Sequence, residues 1–111
     1  MSMLVKIFDN KMDVRNTKNG LAYTVHADKM YSSAALLIAD IDAAVECLSQ
    51  AVERVKMPFM LIKPKYYIFP GRISGAELSQ TEEHALKITG LRAGARDVVI
   101  VKNESDLDHV M

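Results

Sequence analysis

The chain has a single cysteine, no excess of either charge and no long apolar run, and each shortage excludes a class of function. Cys47 alone cannot form an internal disulfide, which fits a reducing compartment. Fourteen basic residues balance fourteen acidic ones, so the chain lacks the long-range field that draws proteins to nucleic acid or anionic membranes. No stretch approaches the roughly 18 apolar residues of a membrane span, and Met1 to Asn10 lacks a basic segment followed by an apolar one. A cytoplasmic protein with no membrane or nucleic-acid partner is expected. Glycines are few, and Gly71, Gly75, Gly90 and Gly94 match neither a phosphate loop nor a dinucleotide fingerprint. His26, His84 and His109 have no partner at the spacing that metal-binding helices use, so no metal or other cofactor is expected.

What is present is enough apolar sequence for one core: half of the 111 residues are hydrophobic. Met3 to Phe8 reads as a strand, and Asn10 to Gly20 as a polar loop ending in Asn19-Gly20. Leu21, Tyr23, Val25 and Ala27 alternate with Ala22, Thr24 and His26, the period of a second strand. Residues 1–31 are therefore read as an N-terminal β-hairpin extension, and 32–111 as the core domain.

The core begins with the apolar run Ala34 to Ala39, read as a strand buried on both faces. Asp40 or Asp42 can cap a helix whose apolar positions Ala44, Val45, Leu48, Val52 and Val55 carry it to Lys56. Phe59 to Ile62 and Tyr66 to Phe69 flank the Lys63-Pro64-Lys65 turn as an antiparallel hairpin. Ser74 with Glu77, or Ser79 with Glu82, can start a second helix that presents Ala85, Leu86 and Thr89 inward and stops at Gly90. Val98 to Val101 is a last strand, and Asp106 to Met111 can add a short terminal helix. The expected fold class is α+β, with a ferredoxin-like βαββαβ core behind the N-terminal hairpin. One sheet face would be covered by both helices and the other left open to a ligand or subunit.

The chemistry-bearing residues are weighed against plainer roles. Cys47 lies beside the core position Leu48, where a thiol packs as a small apolar group. Helix capping accounts for Asp40 and Asp42 at least as well as paired-carboxylate catalysis does. Lys63 to Arg72 interleaves three cations with three aromatics, but lacks the glycine that base-stacking strands of RNA-recognition modules place between them. Lys63, Lys65, Tyr66 and Arg72 are the candidate pore or ligand contacts, and no residue is assigned a catalytic role. An enzyme whose site forms between subunits would draw on Asp40, Asp42, His84 and Tyr66.

From Ser33 to Met111 the layout resembles the shell-protein domain of bacterial microcompartments. The run from Ala34 to Leu48 is similar to that family's strand, acidic turn and alanine-rich helix, and Val98 to Met111 to its last strand and terminal helix. Lys63-Pro64-Lys65 replaces the family's glycine-bearing pore turn, and the basic-proline element after the last strand is missing. The resemblance implies a non-enzymatic structural subunit that forms homo-oligomers around a rotation axis. Lys63 and Lys65 would then ring an opening crossed by a small anionic metabolite. The competing expectation is a small-ligand-binding regulatory module.

Overall fold

The computed structural model describes residues 2–33, 36–56, 62–71 and 80–102, which form an α+β domain of one five-stranded sheet and two helices. In chain order these are β1 (Ser2–Phe8), β2 (Lys11–Asn16), β3 (Ala22–His26), α1 (Ile41–Val55), β4 (Lys65–Pro70), α2 (Gln80–Arg92) and β5 (Asp97–Ile100). The strands lie in the order β3-β2-β1-β4-β5. β1, β2 and β3 form an antiparallel meander, and β4 pairs in parallel with β1 on one side and β5 on the other.

The first three strands follow from a period of two. In β1, Met3, Val5 and Ile7 point inward and are fully buried. In β2, Met12 and Val14 do the same, while Lys11, Asp13 and Arg15 take the outer face. The tight β1–β2 connection is Asp9-Asn10, with Asn10 in the left-handed region at φ 57°. Asparagine tolerates that conformation better than most residues. Asn16 continues the inward series as a polar residue, and its side chain donates 2.9 Å to the Val55 carbonyl at the end of α1. Asn19 donates 3.1 Å to the same carbonyl.

Helix α1 starts where Asp40 accepts a 3.0 Å bond from the Ala43 amide, satisfying one of the unpaired first-turn donors. Its buried face carries Ala43, Ala44, Cys47, Leu48, Ala51, Val52 and Val55, which holds the expected positions except Val45, only half-buried, and adds Ala43, Cys47 and Ala51. α2 presents Ala85, Leu86 and Thr89 inward, also as expected. It runs two residues past the expected stop at Gly90 and ends instead at Gly94, whose φ is 105°. There the Ala95 amide donates to the Gly90 carbonyl and the Gly94 amide to the Leu91 carbonyl, a Schellman closure. Gly90 serves packing instead: a Cβ there would lie 2.5 Å from Val98 Cγ2. α1, α2 and the inner residues of all five strands share one hydrophobic core, so both helices cover the same sheet face.

The structure departs from the sequence expectations at several further points. Residues 10–20 are not one loop, because Lys11–Asn16 is a strand. The ferredoxin-like order is not the order found: three strands precede α1, and β1, expected as part of an appended hairpin, lies at the centre of the sheet. Of the expected strand Ala34 to Ala39, residues 34 and 35 lie outside the described residues, and Leu36 to Ala39 pair with no strand. Leu37 and Ile38 are buried all the same: local bonds serve this segment's backbone, and the Glu82 carboxylate of α2 accepts from the Leu37 amide. Ser32 Oγ donates to the Leu37 carbonyl, and the Ala39 and Asp40 amides donate to the Tyr31 carbonyl.

The expected hairpin about Lys63-Pro64-Lys65 is also absent as such, since both sides of β4 are occupied by β1 and β5. Most of its first arm, residues 59–61, falls outside the described residues, as do Ser74, Glu77 and Ser79 of the two expected capping boxes and the terminal helix, while Glu82 lies in the first turn of α2.

Candidate functional site

The outer face of the sheet, opposite the helices, divides into two halves. On β1, β4 and β5 it is apolar: buried Leu4 and Val101 are packed by half-buried Tyr67, Phe69 and Val99. The register sets these side by side, with Leu4 opposite Tyr67, Lys6 opposite Phe69, and Tyr67 opposite Val99. On β1, β2 and β3 the same face is polar. Lys6 stands opposite Asp13, and Asp13 opposite Thr24, whose hydroxyl donates 2.6 Å to the Asp13 carboxylate. A shallow depression of about 410 Å³ lies here over Leu4, Lys6, Asp13, Arg15 and Thr24.

A second depression, about 430 Å³, lies at the carboxyl ends of β1 and β4 among Phe8, Asp9, Lys11, His26 and Gly71. Ligands of open sheets with parallel strands commonly bind at such ends. The turn beneath it is already committed. The Asn10 side-chain oxygen accepts from the Tyr31 and Ser32 amides, at 2.9 and 3.0 Å. The buried Tyr31 hydroxyl donates to the Phe8 carbonyl and approaches the Lys11 carbonyl at 2.8 Å. Burial raises the Tyr31 phenol far above its ordinary range, so it stays a proton donor. Phe8 lies against Gly71, where a Cβ would meet its ring at 2.3 Å, and Lys11 Nζ sits 4.9 Å from the same ring.

The residues singled out from the sequence do not converge. Lys63 is exposed just before β4, and Lys65 opens that strand with its ammonium 5.5 Å from the Tyr67 ring. Tyr66 is in the core: its hydroxyl donates 2.9 Å to the Ala93 carbonyl, and burial pushes its phenol up to about 12. Strand alternation explains this, since Tyr66 and Tyr67 must point to opposite faces. Arg72 lies outside the described residues.

Asp40 caps α1, and the Ala43 amide, followed by Lys29 at 3.5 Å, holds its carboxyl below the usual range. Asp42 pairs with Arg92 Nη1 at 2.8 Å, tying α1 to α2. His84 is exposed on α2. Cys47 is buried, and desolvation, reinforced by the Asp28 and Glu46 carboxylates, raises its thiol to about 11. A nucleophile needs the opposite shift, so Cys47 is a packing residue. Among the described residues no group of three His, Cys, Asp or Glu side chains is placed to hold a metal ion. No described helix is long and apolar enough to cross a membrane.

The polar half of the outer face does not follow from the sequence reading, in which residues 10–20 form a loop. The signal was present in Met12 and Val14 alternating with Lys11, Asp13 and Arg15 after a two-residue Asp9-Asn10 turn.

No family model and no curated protein matches the chain. Among solved structures it is similar to MreB5 of Spiroplasma citri bound to ADP, with a TM-score of 0.67 and 15% identity, over 91% of this chain and 37% of that one. The same protein bound to AMPPNP gives a TM-score of 0.69 and 16% identity, over 91% of this chain and 38% of that one. At this identity the likeness concerns the fold. The chain spans little more than a third of the length of the MreB5 structures.

Proposed function

We propose that this domain is a non-enzymatic, self-assembling structural subunit that works by contact with copies of itself. The observation that carries this reading is the outer sheet face: an apolar cluster of Leu4, Tyr67, Phe69, Val99 and Val101, bordered by Lys6, Asp13 and Arg15 of both charge signs. Protein interfaces combine an apolar centre with a polar rim in this way, and a border holding both signs can meet its own copy without net repulsion. In the narrower form of this reading, shell-like subunits form a ring whose axis runs near Lys63 and Lys65, at the amino end of β4, favouring anionic metabolites. The test is Phe69→Glu, which places a charge in the apolar cluster. The variant should keep the wild-type circular dichroism and lose, in light scattering, the mass that contact through this face adds. An unchanged mass distribution would remove the outer face from the assembly.

A second reading, a small-ligand-binding module, has its own observation in the depression at the carboxyl ends of β1 and β4, where Lys11 and His26 offer nitrogen donors. The similar MreB5 structures hold ADP and AMPPNP, so adenine nucleotides are the first ligands to try. A nucleotide at a hundred times its dissociation constant would add roughly 2.7 kcal/mol of stability, a plain rise in melting temperature. No rise with ADP, AMPPNP or inorganic phosphate would dismiss this reading for that class of ligand.

A further inference from the structure

β3 is an edge strand, and its backbone is arranged to accept another strand. The Asn16 amide donates to the Leu21 carbonyl and the Ala27 amide to the Asn10 carbonyl. With Met12 opposite Val25 and Val14 opposite Tyr23, residues 21, 23, 25 and 27 therefore bond toward β2. The amides and carbonyls of Ala22, Thr24 and His26 point away from the sheet, and among the described residues none pairs with them.

Exposed edges are usually blunted by lysine, proline, bulges or short length. β5, at the opposite edge, has four residues and begins with Asp97. β3 is only one residue longer, at five, but carries no lysine or proline. Ala22 to His26 contains no Asp, Glu, Lys, Arg or Pro, and the helix-side residues beside it are apolar and open, Leu21 at 52% and Tyr23 at 38% exposure.

We infer that the edge of β3 pairs antiparallel with β3 of a second copy of this chain, in a register centred on Thr24. This rests on the self-assembly reading and names one of its contacts. Only outward-facing residues can exchange bonds across the seam, so Thr24 meets the second Thr24, and Ala22 meets His26. These three pairs exchange about six backbone hydrogen bonds. No like charges face each other, which favours a second copy over a charged foreign segment. The twofold axis runs normal to the sheet, so both helical layers stay on one side. Tyr23 of each copy then falls opposite Val25 of the other, and Leu21 opposite Ala27, closing the exposed apolar pair. Arg54 of α1, whose guanidinium lies 5.3 Å from the Tyr23 ring, stands beside the seam.

The test uses the whole chain at micromolar to millimolar concentration. Thr24→Pro removes the outward donor at the axis but no backbone bond to β2, losing besides only the hydroxyl bond to Asp13, and proline is tolerated on strand edges. Thr24→Lys adds a gatekeeping charge, and Thr24→Val loses only the hydroxyl bond to Asp13. Wild type and Thr24→Val should associate, and the amides of Ala22, Thr24 and His26 should exchange at least about tenfold more slowly in concentrated than in dilute protein. Thr24→Pro and Thr24→Lys, folded by circular dichroism, should not associate through this edge. If wild type associates and both variants associate equally, the edge contact is wrong and assembly proceeds through another surface. If wild type remains at 12.4 kDa at every concentration, the edge contact and the assembly reading fall together.

Discussion

Replacing Gly90 by alanine pits two effects of known size against each other at the junction of α2 with the sheet. Within a helix, glycine to alanine is worth about 1 kcal/mol of stabilisation. The new methyl, however, would lie 2.5 Å from Val98 Cγ2 and 3.2 Å from Ile68 Cδ1, both in the core. Val98 is β-branched and held in β5, and Ile68 is fully buried in β4, so neither can move aside freely. Overpacking of this kind costs about 1–3 kcal/mol, so Gly90→Ala should come out neutral to destabilising by about 2 kcal/mol. Val98→Ala alone should cost about 2 kcal/mol through lost burial and the cavity left behind. Together the substitutions should be less damaging than their sum by at least about 1 kcal/mol, because the new methyl occupies the space that the valine vacates. Urea unfolding of the four proteins measures this coupling from the transition midpoints. A stabilised Gly90→Ala with strictly additive effects would refute the packing of α2 on β5 described above.

Other perturbations probe the remaining contacts. Burial raises the Cys47 thiol from 9.0 to about 11 and the Tyr66 phenol from 10.0 to about 12, so the unfolded chain releases these protons first. Stability should hold up to about pH 9 and fall between about pH 9 and 12, by up to about 3 kcal/mol for each group. A flat urea midpoint from pH 8 to pH 11 would contradict this. Tyr31→Phe removes the hydroxyl that joins the β1–β2 turn to the segment before α1 and should cost about 1–3 kcal/mol in denaturant titration. Asp40→Ala should lower the melting temperature by a few degrees, while Asp40→Asn, which also caps helices, should recover most of the loss.

The sequence was most legible where one element answered to one local rule. Asp40 as a cap followed by apolar residues at helical spacing defines α1, a short apolar run defines β1, and alternation defines β3. It was least legible where burial and secondary structure part company. Leu37 and Ile38 are as buried as strand residues, yet their segment bonds to nearby Tyr31, Ser32 and Ser33 and to Glu82 of α2, and nothing in an apolar run distinguishes the two cases. With that run a strand and Lys11–Asn16 a loop, the sheet would be centred on a later segment instead of β1. That shift produced the βαββαβ layout on which the shell-protein resemblance rested. The candidate site suffered in the same way: cations and aromatics near β4 drew attention, whereas strand order assembled the outer face from β1, β2 and β4 together. Pairing partners distant in sequence, such as Leu4 with Tyr67, leave no local trace.

The most direct test of the assembly proposal is sedimentation equilibrium of the wild-type chain over a wide concentration range. Self-assembly requires an average mass that climbs above the 12.4 kDa of one chain as concentration rises. One species of 12.4 kDa throughout would contradict it.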